Sequence, residues 1–331
     1  MSNRTDETAK AESAKADSPQ ASGQKQEASR EESWTIQRLL TWTREWLGKQ
    51  GSASPRLDAE LLLAHVLKCK RLDLLLRFDQ PVSKDELAAY KALIRRRASL
   101  EPVAYILGKR AFHAIELEVS PAVLVPRPET EMLVDEVLAF LIKPEAPTGA
   151  VLDLCTGSGC VALAIGFALA ERQAPRELLA TDASEPALTQ AKRNAEKLAI
   201  EVSFLKGDLF EALPAGRRFA AVASNPPYVR SGDIPKLERD VRDHEPKLAL
   251  DGGLTGLDLI ERIIAGAPQI LEPGGLLALE MGSRAQADQA LLWCERAGLQ
   301  GGRWVAVLGG PTHLVLATAA SEPLGAAMAP T

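Results

Sequence analysis

The chain has 331 residues, 46% hydrophobic and 25% charged, with a net charge of −5; this suits a globular protein with room for one large domain and a smaller one. A pI near 5.6 argues against a protein whose main task is clamping nucleic-acid phosphates, so no direct nucleic-acid substrate is expected. The four cysteines (Cys69, Cys155, Cys160, Cys294) form no CxxC pair and no run reaches the roughly 18 apolar residues of a bilayer span, which speaks against a zinc site, a disulfide framework and a membrane partner and favours a cytoplasmic setting.

Residues 1–33 are Ala, Ser, Lys, Glu, Gln and Asp with no large apolar residue after Met1. Such a stretch buries too little to offset its ordering entropy and reads as a disordered tail, with neither the apolar core of a secretion signal nor the acid-poor composition of a transit peptide. From Trp34 the period is helical. Ile36, Leu39, Leu40, Trp42, Trp46 and Leu47 mark one face, and Leu57, Leu61, Leu62 and Val66, behind Ser54-Pro55, mark another. Ser83-Lys84-Asp85-Glu86 is a capping box ahead of Leu87, Tyr90, Leu93 and Ile94. This predicts a small helical domain over 34–104, with Arg95-Arg96-Arg97 as a solvated helix end.

Over 105–126, Tyr105, Ile106, Phe112, Ile115, Leu117 and Val119 alternate loosely with polar residues around Gly108, predicting a hairpin that begins near Val103 and links two domains. Pro126-Arg127-Pro128-Glu129-Thr130-Glu131 precedes a helix to about Leu141, with Thr130 suited to its start. An alternating unit follows over 127–318. Strands are expected at 151–154, 178–182, 202–205, 220–224 and 276–280, the last after a Pro273-Gly274-Gly275 turn, with helices at 160–171, up to 198, 257–271 and 285–297. A terminal pair is expected near 304–308 and 313–318, and 319–331 reads as a loose tail. Such alternation predicts an α/β fold with a parallel sheet covered on both faces.

The chemistry concentrates at strand ends. Gly157 and Gly159, with Cys155, Thr156 and Ser158, form a turn that lets backbone approach a ligand, and Asp182 ends the next strand where a carboxylate can take both hydroxyls of a ribose. Gly157-Ser158-Gly159 with Ala162 alone fits NAD and S-adenosylmethionine equally. Asp153 favours the second, because a carboxylate ahead of the turn repels a pyrophosphate and suits a cationic methionyl group. Asp208 stands where an adenine edge would be held. Ala220-Ala221-Val222-Ala223-Ser224 then ends in Asn225-Pro226-Pro227-Tyr228. Two prolines stop the strand and leave a rigid tip with a carboxamide, prolyl carbonyls and an aromatic face, suited to gripping a planar NH2 group.

The glycine turn, Asp182 and Asn225-Pro226-Pro227-Tyr228 resemble the class I S-adenosylmethionine-dependent methyltransferases that modify nitrogen. Glu101 to Gly108, Val125 to Glu131 and His244-Glu245-Pro246 narrow this: the chain from about Trp34 to Thr318 is similar to the peptide chain release factor glutamine methyltransferases (the PrmC/HemK family). The resemblance implies a Rossmann-like methyltransferase domain over 127–318 and a substrate-binding helical domain over 34–104. It implies methyl transfer to the Gly-Gly-Gln glutamine of class 1 release factors. It assigns the Cys155–Gly159 turn, Asp182, the Leu209 position and Asn225 to the cofactor, and Asn225 to Tyr228 to the substrate glutamine. Asn225 and the Pro226 carbonyl would accept the amide hydrogens while Tyr228 packs on the flat amide. Two positions depart from the family pattern. Cys155 stands where Gly is usual, and Gly309-Gly310-Pro311-Thr312-His313 replaces a stretch with an Arg. Both lean toward sister enzymes acting on a ribosomal protein glutamine, whereas Arg127 to Glu131 is the release-factor version. Other readings are a DNA or RNA amino-methyltransferase, which would need base flipping and usually a basic module, an NAD oxidoreductase, and a non-enzymatic adaptor. His-Glu-Pro is expected to close a loop over the pocket, and no metal is expected, since the acids lie on separate strands.

Overall fold

The computed structural model describes residues 34–307 and 310–321. The tail read over 1–33, Leu308 and Gly309 of the terminal pair, and the C-terminal tail beyond 321 lie outside the described residues.

The N-terminal part is helical: α1 (Ile36–Lys49), α2 (Pro55–Val66), α3 (Arg71–Leu76), α4 (Lys84–Ala98) and α5 (Val103–Leu107). At the head of α4, Ser83 Oγ accepts the Glu86 N–H at 3.3 Å while the Glu86 carboxylate accepts the Ser83 N–H at 2.8 Å, so two otherwise orphaned donors are satisfied. Leu39, Leu47, Leu62, Leu63, Tyr90 and Ile94 bury their faces against one another. Of Arg95-Arg96-Arg97, expected as a solvated helix end, Arg97 is buried. Arg97 follows Tyr90 and Ile94 at helical spacing, so it turns inward with them. Its side chain is 5% exposed and holds Asp58 of α2, itself 8% exposed, at 2.6 Å, and its Nη1 donates to the Glu101 carbonyl at 3.1 Å.

The hairpin is shorter than expected. Val103–Leu107 is helical, with Pro102 ahead of it and Gly108 ending it at φ +71°. Its consecutive buried residues Ala104, Tyr105 and Ile106 do not alternate as a strand would. Only β1 (Lys109–Phe112) and β2 (Ile115–Glu118) pair, antiparallel.

Among the described residues, β3 (Val151–Leu154), β4 (Leu178–Asp182), β5 (Ser203–Lys206), β6 (Phe219–Ser224), β7 (Leu271–Met281), β8 (Gln300–Ala306) and β9 (His313–Thr318) form a seven-stranded sheet in the order β5-β4-β3-β6-β7-β9-β8. The first five are parallel, whereas β9 runs antiparallel to both β7 and β8. The link from β8 to β9 is too short for a crossover helix, so the sheet is mixed rather than wholly parallel. Pro273–Gly275, expected as a turn, lies within β7 as a bulge: Phe219 pairs with Leu271 and Ala221 already with Leu276. The helices are α6 (Glu131–Leu141), α7 (Cys160–Glu171), α8 (Glu185–Leu198), the short α9 (Arg239–Arg242), α10 (Asp258–Ile270) and α11 (Arg284–Arg296). α6 and α7 pack on one face and α10 and α11 on the other. Every residue of β6 is buried, as expected for a strand covered on both faces. The chain winds outward from β3 through β4 to β5 and returns on the opposite side of β3 with β6. At such a reversal a crevice opens beyond the carboxyl ends of the strands.

Arg97→Ala would leave the Asp58 carboxylate buried without its cation. The expected loss is about 3–5 kcal/mol, measured as a lowered urea midpoint of unfolding.

Candidate active site

The crevice beyond β3, β4 and β6 is an open cleft with about 1000 Å³ of empty space, part of it open to solvent. Its lining collects most of the residues singled out from the sequence: Asp153 within β3, Cys155, Thr156, Gly157 and Ser158 after it, Asp182 at the end of β4, Asp208 and Leu209 after β5, and Asn225 and Pro227 after β6. Gly159 caps α7 just behind this lining at φ +83°, and a Cβ there would come within 3.0 Å of Leu163 and 3.3 Å of Ala191. Gly157 differs. A Cβ on it would meet nothing within 4 Å, but its φ is +56°, so glycine serves its backbone conformation and leaves open space for a ligand. Cys155 adopts φ +58°, a region costly for a residue with a Cβ. Burial pushes its thiol up to about 12, with Asp182 adding to the rise, which keeps it neutral.

The acids divide by role. Asp182 Oδ2 accepts the Gly157 N–H at 2.9 Å and Oδ1 the Ser184 N–H at 2.8 Å, so it ties the turn after β3 to the start of α8. Each oxygen keeps a lone pair for a further donor. Asp153 is buried at the cleft wall. Its Oδ2 accepts from Thr156 Oγ1 at 2.6 Å and from the Ala162 N–H at 3.1 Å. Burial pushes its carboxyl up to about 7, against those two hydrogen bonds and with help from Asp182. Asp208 stands at the rim and is paired with Arg262 at 2.8 Å. Leu209, at φ +52°, is buried, and its carbonyl accepts from Thr181 Oγ1 at 3.3 Å.

The tip after β6 is held from several sides. Asn225 Nδ2 donates to Thr130 Oγ1 at 3.0 Å, and that hydroxyl donates to Glu280 Oε2 at 2.6 Å. Tyr228 O–H donates to the other Glu280 oxygen at 3.3 Å. Pro226 is buried and, unlike Asn225 and Pro227, contributes nothing to the cleft lining. Tyr228, expected to face a substrate amide, instead lines a separate groove with Arg230, Thr255 and Gln286, because its hydroxyl is drawn to Glu280. Behind the tip, the Gly252 backbone comes so close that a Cβ would lie 2.6 Å from the Pro227 carbonyl oxygen.

The lid side is built by Pro126-Arg127 and by Glu245-Pro246 of the His-Glu-Pro stretch. Arg127 Nη2 donates to the buried Glu245 carboxylate at 2.6 Å, Glu245 also accepts the Val125 N–H at 3.3 Å, and Pro126, Arg127, Pro246 and Leu248 all line the cleft. His244 contacts the Ser99 carbonyl oxygen at 3.1 Å, outside the cleft lining. Its place before α6 suits Thr130 to a helix cap. Its hydroxyl makes no cap bond and goes to Glu280 instead. Glu280 was read only as a strand end, although an acid closing the apolar run Leu276–Leu279 at the carboxyl end of an interior strand is itself a signal. Among the described residues, no group of three or more His, Cys, Asp or Glu side chains could hold a metal ion, and no helix is long and apolar enough to cross a membrane.

A family model described as the PrmC N-terminal domain matches residues 38–108, and one described as a methyltransferase small domain matches residues 130–241. A Geobacter sulfurreducens protein named release factor glutamine methyltransferase is 41% identical over 268 residues, covering 81% of this chain and 90% of its own length. A Bordetella pertussis protein of the same name is 44% identical over 247 residues, covering 74% of this chain and 88% of its own. Among solved structures, the hMettl16 catalytic domain in complex with MAT2A 3'UTR hairpin 6 superposes with a TM-score of 0.50 at 15% identity, covering 70% of this chain and 82% of that one. At that identity the likeness is one of fold.

The folded chain holds the Asp153 proton more tightly than the unfolded one. Its contribution to stability is therefore complete below the ordinary carboxyl value of 3.8 and is lost as pH rises through about 7. Asp153→Asn keeps an acceptor for Thr156 and Ala162 and has no proton to lose. Melting temperatures measured across pH should show a flatter decline in the variant, with stability at pH above 7 no lower than in the unsubstituted protein.

Proposed function

The chain belongs to the release factor glutamine methyltransferase family, and from that premise we propose that it transfers a methyl group from S-adenosylmethionine to the side-chain amide nitrogen of the Gly-Gly-Gln glutamine in class 1 release factors, in the cytoplasm. The names carried by relatives that align over nearly their whole length favour a release factor over a ribosomal protein as substrate. The observation that carries the reading is the position of Asn225, whose carboxamide lines the same cleft as the glycine turn, Asp153 and Asp182.

The residues present suit that donor. Asp182 keeps a lone pair on each oxygen for the hydroxyls of a ribose. The open space over Gly157 admits a ligand against the backbone, with Cys155, Thr156 and Ser158 alongside. Asp153 offers a carboxylate to a methionyl ammonium, and a bound cation would favour its charged form. Asp208 and Leu209 border the side where an adenine would lie. When bound, S-adenosylmethionine supplies an electrophilic methyl group on a sulfonium sulfur.

An amide nitrogen is a poor nucleophile because its lone pair is delocalised into the carbonyl. With Nδ2 engaged by Thr130, Asn225 has its Oδ1 available to accept one hydrogen of the substrate amide, and we assign the other to the Pro226 carbonyl. Holding both hydrogens orients the nitrogen and favours localisation of its lone pair. Alignment and preorganised acceptors of this kind account for several orders of magnitude in rate. Pro227 stiffens the tip, and Tyr228 acts from beneath through Glu280. The helices over 34–104, with Trp42, Leu72 and Leu76 exposed, would hold the body of the factor.

Asn225→Ala should lower methylation of a purified class 1 release factor by at least about a thousandfold, read by mass spectrometry of the glutamine peptide, with an unchanged melting temperature. Near-normal turnover in that variant would overturn the proposed grip. Asp182→Ala should weaken binding of S-adenosylhomocysteine by roughly ten- to a hundredfold in calorimetry.

A further inference from the structure

Side chains from three separate elements meet beneath Asn225: Thr130 from the turn before α6, Tyr228 from the tip after β6, and Glu280 from the end of β7. The Thr130 hydroxyl has one hydrogen to give and lone pairs to receive. It lies 2.6 Å from Glu280 Oε2 and 3.0 Å from Asn225 Nδ2. A charged Glu280 offers only acceptors. The hydroxyl hydrogen must then go to the carboxylate, and the hydroxyl oxygen receives from the Asn225 amide. That donor count decides which end of the carboxamide is engaged below and leaves Oδ1 as the end available above.

A proton on Glu280 Oε2 reverses both links through Thr130, while Tyr228 still donates to Oε1. The carboxyl donates to Thr130, the hydroxyl turns its hydrogen toward Asn225, and the carboxamide is drawn round to engage through Oδ1. Its NH2 would then face the NH2 of an incoming glutamine, and two donors form no hydrogen bond. We propose that Glu280, acting through the Thr130 hydroxyl, is a positioning residue that keeps the acceptor end of Asn225 toward the substrate amide. The proposal rests on Asn225 being the substrate grip.

The surroundings make this polarity sensitive to pH. Glu280 is 1% exposed, and burial pushes its carboxyl up to about 7, while the hydrogen bonds from Thr130 and Tyr228 and the charge of Arg127 oppose the rise and Glu129 adds to it. Cys160, at the head of α7, is also in electrostatic reach, and its thiol, pushed up to about 12 by burial, stays neutral. The Tyr228 hydroxyl, raised by burial and by Glu280 itself, also keeps its proton.

The test uses the full chain with S-adenosylmethionine and a purified class 1 release factor, measuring kcat and both KM values from about pH 6 to about pH 9. The unsubstituted enzyme should lose kcat on the acid side with a midpoint near 7. Thr130→Val should lower kcat roughly ten- to a hundredfold with affinity for S-adenosylhomocysteine held within about twofold. Thr130→Ser, which restores the hydroxyl, should recover kcat to within about threefold. Glu280→Gln keeps an acceptor but has no proton to gain, so its profile should lack the acid limb. The inference is overturned if the unsubstituted enzyme methylates the glutamine and Thr130→Val matches its kcat, if Thr130→Ser stays as slow as Thr130→Val while binding S-adenosylhomocysteine normally, or if the acid limb persists in Glu280→Gln. An unsubstituted enzyme that leaves the glutamine unmodified would instead overturn the proposed function, and this inference with it.

Discussion

A backbone that enters two consecutive prolines has no N–H with which to continue a sheet ladder, and β6 meets Pro226 and Pro227 in the middle of its sheet, flanked by β3 and β7. The strand can be buried along its whole length and still end abruptly, because Ser224 Oγ donates to the Leu154 carbonyl at 2.7 Å and the loop at Gly252 closes on the tip from behind. Asn225 is thereby presented at the edge of the crevice on a backbone with little freedom. The glycine turn after β3, the acid that ends β4 and the loop after β5 are arranged around that point.

Electrostatically the cleft is a set of carboxyls at different degrees of burial. Asp208, at the rim, has its own cation in Arg262. Asp182, deeper, is held by backbone N–H groups that oppose the upward push of burial. Asp153 and Glu280 lie deepest, and burial outweighs their hydrogen bonds. This gradient costs stability as pH rises, which a protein selected for stability alone would avoid, and such costs gather at functional sites. The cation of a bound ligand would offset it at Asp153. At Glu280 the hydrogen-bond partners are two hydroxyls, and the charge of Arg127 opposes the effect of burial only in part.

The segments that close the cleft also join the helical part of the chain to the sheet. Arg127 holds Glu245, His244 contacts the Ser99 carbonyl, and Arg97, buried against Asp58, lies 4.0 Å from Asp240 of α9. The N-terminal helices are therefore coupled to the roof of the cleft by direct contacts, from the buried Arg97 to the exposed His244–Ser99 pair, rather than through a free linker.

Local pattern was enough for the elements that depend on neighbours in the chain. The Ser83 capping box, the apolar stripes of α1 (apart from Trp42, which stays exposed) and α4, the glycine turn, and the arrest of β6 at two prolines follow from spacing and backbone chemistry, and the motifs gathered there carried the family likeness. Where burial is set by distant residues, the sequence misled or was silent. Arg97 looked like part of a charged run until Asp58 of α2 came to face it, and β9 turned antiparallel because of where its short loop returned it. Thr130 could not be told from a helix cap, nor Glu280 from a strand end. A hydroxyl and a carboxyl 150 positions apart become one hydrogen-bond chain only when the turn before α6 is laid over the carboxyl ends of β6 and β7.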